Sequence, residues 1–168
     1  INPNKKQSET RNSQVMATKD TILNDLKEAM KARDAARLQV LRSLKAKILE
    51  KEISLRSGGK AEISEEQVVE VLVKAAKQRR ESIDQFEKGG REDLAQTERA
   101  ELEIIESYLP AQMGEEEIRA AVRQGIEETG AAGMQDMGRL MGLMMGRLKG
   151  KADGSAVNRI VKEELGAL

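Results

Sequence analysis

The sequence predicts an all-α protein: an N-terminal helical domain of about four helices followed by a small three-helix C-terminal domain. Three observations carry this. Every periodic segment repeats its apolar residues at three-and-four spacing, the signature of one helical face, and none alternates as a strand would. Aromatic residues are 1% of the 168 and charged residues 35%, a balance that fits long helices better than sheets. Pro110 falls between two periodic segments and forces the residue before it out of helical geometry, so the domain boundary is expected there.

Residues 1–15 are polar and aperiodic and lack the apolar stretch of a secretory signal. They read as an added or upstream-translated extension, expected to be disordered, with a natural start at Met16. The N-terminal domain then spans residues 16–110 and the C-terminal one 111–168. A first helix is expected from near Thr18, with Ile22, Leu23, Leu26, Ala29 and Met30 inward. Asp34 can cap a second, in which Leu38, Leu41, Leu44, Ile48 and Leu55 make the inner stripe, and Ser57-Gly58-Gly59 ends it. Ser64 and Gln67 form a capping box, with Ile63 and Val68 in the positions of a hydrophobic staple. The third helix runs through Val68, Leu72, Ala75, Ile83 and Phe86 to Lys88-Gly89-Gly90. Its cations Lys74, Lys77, Arg79 and Arg80 extend the basic surface of the second helix if the two pack side by side. A fourth helix is expected from Asp93 to Leu109, with Leu94, Leu102, Ile105 and Leu109 inward.

Beyond Pro110, Gly114 opens a fifth helix, with Met113 and Ile118 as a staple, three glutamates near the positive end of its dipole, and Ile118, Val122 and Ile126 inward. The next segment holds five of the eight methionines. Met137, Leu140, Met141, Met144 and Leu148 share its inner face. Gly138, Gly142 and Gly146 recur beside them, and each glycine costs the helix up to about 1 kcal/mol relative to alanine. Three in one helix therefore suggest that another backbone comes close. Asp153 or Ser155 caps a last helix with Val157, Ile160, Val161 and Leu165 inward. Arg147, Lys149, Lys151, Asn158, Arg159 and Lys162 gather around the turn as a cationic corner.

The chain has no cysteine and no histidine, which removes thiol chemistry, the commonest general base and the commonest transition-metal ligand. No metal, no cofactor and no catalytic residue is expected. Glutamate pairs such as Glu98 with Glu101, or Glu127 with Glu128, read as solvated helix faces rather than acid and base. No apolar run reaches the ~20 residues of a membrane helix. Charge is balanced overall but unevenly placed: residues 31–60 carry nine basic and three acidic groups, and residues 91–130 four basic and eleven acidic. Such a layout can steer partners at zero net charge. A basic second helix (Arg37, Arg42, Lys45, Lys47) and the C-terminal corner can contact phosphates, whereas Phe86 and Tyr108 sit at core-like spacing and offer no stacking platform.

Several stretches carry a family resemblance: Leu26-Lys27-Glu28-Ala29-Met30-Lys31, Tyr108-Leu109-Pro110, Asp136-Met137-Gly138, Lys149-Gly150-Lys151-Ala152-Asp153-Gly154 and Val157-Asn158-Arg159-Ile160-Val161. From about Met16 onward the chain resembles the YqeY family, whose C-terminal module is shared with the tail of the GatB subunit of tRNA-dependent amidotransferase. The resemblance implies a cytoplasmic, non-catalytic accessory protein that meets tRNA or a protein of the aminoacyl-tRNA pathway. The GatB tail engages the tRNA body, so Lys149, Lys151, Asn158 and Arg159 are the implied contacts, with Arg147 and Lys162 beside them. The family label, carbon-nitrogen ligase activity with glutamine as amido-N-donor, belongs to parts of the amidotransferase that this chain lacks. A protein-interaction module without RNA binding is the alternative, and the oligomeric state is left open.

Overall fold

The computed structural model describes residues 3–56, 58–59 and 62–168, with side chains from Thr18 onward; the expectation for residues 1–15 lies outside those side chains, and Ser57 lies outside the described residues. Among the described residues there are seven α-helices, one short 3-10 turn and no strand. The helices are α1 (Pro3–Ala32), α2 (Ala35–Ser54), α3 (Glu65–Lys88), α4 (Glu92–Glu106), α5 (Glu115–Thr129), α6 (Met137–Leu148) and α7 (Gly154–Gly166), and the 3-10 turn is Met134–Asp136. The chain forms two compact units, residues 1–109 and 110–168.

In the first unit the local signals work as their chemistry requires. The Asp34 carboxylate accepts the Arg37 amide at 3.0 Å and starts α2. Ser64 and Gln67 exchange two hydrogen bonds, Gln67 N–H to Ser64 Oγ at 3.3 Å and Ser64 N–H to Gln67 Oε1 at 2.9 Å, to start α3. Ile22, Leu26 and Ala29 of α1, Val40, Leu41, Leu44 and Ile48 of α2, Val68, Leu72, Ala75 and Ala76 of α3, and Ile105 of α4 make one buried cluster. Each fully buried leucine or isoleucine there contributes about 1.5–3 kcal/mol. Met30 departs from the expected stripe and is 53% exposed, because α1 ends two residues later and the chain turns through Arg33, at φ 54°. Ala76 and Ala95, both fully buried, mark close helix contacts that a search for large apolar residues passes over.

The charge layout is rearranged by packing. Arg79 points at α4 and pairs with Glu98 at 3.0 Å and Glu101 at 2.9 Å, Arg80 pairs with Glu106 at 2.6 Å, and Arg99 of α4 returns to Glu87 of α3. These two α3 arginines therefore do not extend the basic surface of α2, as expected; they neutralise the acidic helix beside them.

In the second unit Ile118 and Val122, Leu140, Met144 and Leu148, and Val157, Ile160, Val161 and Leu165 form a separate buried cluster, with Met137 and Met141 partly buried against it. The glycine expectation is corrected. Gly138, Gly142 and Gly146 are exposed, and a Cβ on any of them would meet nothing within 4 Å. The close approach is made by Gly125 of α5, where a Cβ would lie 2.7 Å from Met144 Sδ and 3.1 Å from Leu140 Cδ1. Helix α6 thus presents its large side chains, not its glycines, to α5.

Candidate nucleic-acid interface

The candidate interface is built on the connection from α6 to α7. Lys149 leaves the helix at φ −55°, ψ 124°, and Gly150 follows in the left-handed region at φ 75°, where glycine has no Cβ to clash. The Leu148 carbonyl then accepts the Lys151 amide at 2.9 Å and the Ala152 amide at 3.1 Å. Asp153 caps α7 by accepting the Ala156 amide at 3.2 Å.

The segment leading into α5 holds this turn from outside. The Met113 amide donates to the Lys151 carbonyl at 2.7 Å, and the Gln112 amide nitrogen donates to the Gly150 and Pro110 carbonyls, each at 2.9 Å. Backbone from 148 to 152 is therefore pinned by four hydrogen bonds of the unit while the side chains of Lys149 and Lys151 are exposed. Gln112 is a supporting residue that no sequence signal announces, since its partner in the turn, Gly150, lies 38 residues away in the chain.

Five of the six candidate residues divide by electrostatic surroundings, and Lys149 is exposed without being unpartnered. Arg147 pairs with Glu128, which raises the guanidinium pKa and lowers that of the carboxyl. Arg159 holds Glu115 at 2.9 Å and Glu163 at 3.0 Å; hydrogen bonding to Glu115 first, then to Glu163, raises its pKa. Lys151 and Lys162 are exposed and make no ion pair among the described residues. Asn158 is half-buried on α7. Glu115 opens α5 and Glu128 lies in its last turn, about 20 Å apart at 1.5 Å per residue. The two arginines are consequently held at opposite ends of α5 rather than in one corner.

Arg159 belongs to a wider lattice between α5 and α7. Arg119, its side chain 19% exposed, reaches Glu163 and Glu164, each at 2.7 Å, and Arg123 reaches Glu164 at 2.7 Å. The bonds from Arg123 and then Arg119 hold the Glu164 carboxyl below the usual range. The sequence contains a hint of this lattice in the four-residue spacing of Glu115, Arg119 and Arg123, which places them along one helix face.

The second basic patch is also only partly available. Arg37 lies 3.2 Å from both Asp25 and the Tyr108 hydroxyl. Lys47 donates to Gln78 at 3.1 Å, and Arg42 and Lys45 are exposed on α2. Among the described residues no helix is long and apolar enough to cross a membrane, and no group of three or more acidic residues is placed to hold a metal ion.

A family model described as Yqey-like protein matches residues 19–165. The chain is 31% identical over 149 residues to "Altered inheritance of mitochondria protein 41, mitochondrial" of Pyrenophora tritici-repentis, covering 85% of this chain and 78% of that protein. Proteins of the same name align over shorter stretches. That of Eremothecium gossypii is 41% identical over 90 residues, 54% of this chain and 48% of the relative; that of Saccharomyces cerevisiae is 34% identical over 88 residues, 52% and 46%. The chain thus spans about half the length of these last two relatives. The names overturn the cytoplasmic expectation, because the relatives are mitochondrial proteins by name. The physical reason is that compartment is addressed by targeting segments, whereas the charge and periodicity read here describe folded helices.

Proposed function

The chain belongs to the Yqey-like protein family, and from that premise we propose that it is a non-catalytic protein that binds structured RNA, tRNA foremost, through the turn between α6 and α7. A mitochondrial setting, taken from the relatives' names, is part of the proposal. The observation that carries the reading is the pinned backbone beneath Lys149 and Lys151. A turn already ordered loses little further backbone entropy on binding, and exposed ammonium groups on it suit phosphate oxygens. Lys151 leads, with Lys162 on α7 beside it as a second cation outside the ion-pair lattice. Arg147 and Arg159 have a different role in this reading: their charge is matched by glutamates, so they order the surface more than they attract RNA. No chemistry of its own is assigned to the chain, and carbon-nitrogen ligase activity has no residues here to support it.

The test is a tRNA gel shift across a salt series. Phosphate binding releases counterions, so the logarithm of the affinity falls with the logarithm of salt by about 0.9 per phosphate contacted on a duplex. Lys149→Ala with Lys151→Ala is expected to reduce that slope by roughly one unit per lost contact, whereas Arg42→Ala with Lys45→Ala leaves it unchanged. Equal loss from both pairs would mean unspecific attraction. A second reading, a protein-docking module, is supported by the exposed outer face of α6, where Met145 is 45% exposed beside Gly142 and Gly146; absence of tRNA binding at low salt would favour it.

A further inference from the structure

The cleft between α2 and α3 has polar chemistry that the fold does not use. Its volume is ≈ 440 Å³, within the roughly 300–1,000 Å³ of small-molecule sites. Leu44 and Ile105, both buried, contribute to its base, and Ser43, Lys47, Gln78 and Ser82 line it from the two helices. Ser43 and Ser82 are half-buried residues whose hydroxyls have no hydrogen-bond partner among the described residues. Lys47 spends a hydrogen bond on the neutral Gln78 oxygen at 3.1 Å and has no carboxylate partner, so its charge is unmatched beside an apolar base. That pairing occupies the Gln78 oxygen and leaves its amide nitrogen as a donor. The other charged groups lining the cleft are matched elsewhere: Arg79 by Glu98 and Glu101, and Glu81 by Lys77 at 3.8 Å.

We propose that this cleft binds a small phosphorylated ligand, a phosphomonoester, with Lys47 supplying the charge and Ser43, Ser82 and the Gln78 amide supplying neutral donors. Four donor groups from two helices suit the three terminal oxygens of a phosphomonoester, whose charge of about −1.5 to −2 at pH 7 also meets the Lys47 ammonium more strongly than the single charge of a carboxylate does. The concave shape takes a small group that enters it. The assignment goes beyond the RNA reading and uses none of the residues of the α6–α7 turn.

The experiment is a titration of the full chain with glycerol 2-phosphate at constant ionic strength, followed by backbone amide NMR. Saturable shifts are expected at Ser43, Lys47, Gln78 and Ser82, with the α6–α7 turn unmoved. Lys47→Met is expected to weaken binding at least about tenfold, the usual loss for a charged hydrogen bond. Ser82→Ala, a change too small to threaten the fold, is expected to weaken it several-fold. Shifts that fail to saturate, or that are unchanged in both variants, overturn the proposal. An equal response to acetate overturns the choice of phosphate, and displacement of glycerol 2-phosphate by tRNA overturns the small ligand in favour of nucleic-acid phosphate. None of these results alters the gel-shift comparison of Lys149 and Lys151 with Arg42 and Lys45, so the two readings fail separately.

Discussion

The two units solve the same packing problem with helices of different length. In the first, α1, α2, α3 and α4 have 30, 20, 24 and 15 residues; in the second, α5, α6 and α7 have 15, 12 and 13. Isolated helices below about 12–15 residues are marginal in water, so the second unit depends more heavily on its tertiary contacts. Its core also draws on a helix, α6, whose inward residues are methionine and leucine with no β-branched side chain, and at Gly125 the α5 backbone leaves no room for a Cβ beside the flexible Met144 thioether. The first unit joins helices through alanines, and both units add shielded arginine–glutamate pairs: Arg79 with Glu101 in the first, side chains 27% and 15% exposed, and Arg119 with Glu164 in the second, 19% and 13%. The lesson is that one misplaced group should collapse the short-helix unit and spare the long-helix one.

The largest expected effect tests that contrast directly. Met144 is fully buried, and Met144→Asp places an unpaired carboxylate there at a cost of several kcal/mol. The second unit is expected to unfold while α1–α4 keep their slow amide exchange; loss of protection throughout the chain would break the comparison. Next in size is Gly125→Ala. The added methyl meets Met144 and Leu140, and overpacking of about 1–3 kcal/mol outweighs the gain in helix propensity of up to about 1 kcal/mol. A lower melting temperature is expected.

Gly142→Ala has the opposite sign. Its Cβ meets nothing within 4 Å, so the propensity gain stands alone and stabilises by up to about 1 kcal/mol. A fall in melting temperature for this variant would show that the outer face of α6 is occupied after all.

The last effect is read at alkaline pH. Tyr108, the one tyrosine of the chain, donates to Asp25 at 2.5 Å, and burial followed by that bond raises its pKa from 10.0 to about 12. The folded state therefore holds the proton more tightly, and this contribution, complete below pH 10, is lost as pH rises from 10 to about 12. Ultraviolet titration of tyrosinate is expected to show the raised midpoint in the folded chain and an ordinary one in denaturant. In Tyr108→Phe the alkaline loss of stability of the first unit should be shallower.

The sequence by itself determined the helices, several of their starts and most of their inner faces. Asp34, the Ser64 and Gln67 pair, and Asp153 cap where their spacing placed them, and Leu41, Leu72, Val122, Leu140 and Ile160 are buried as the periodicity required. These features are legible because a cap and a helical stripe depend on residues three or four apart. The direction in which each outer face meets another helix was decided only by the tertiary structure. It turned Arg79 and Arg80 toward α4, set Arg147 and Arg159 at opposite ends of α5, chose Gly125 over Gly138, Gly142 and Gly146 for the close approach, and brought Gln112 to the turn at Gly150. A one-dimensional charge run or glycine repeat specifies a face of a helix, while its partner is fixed by how helices distant in sequence rotate to fill a common core.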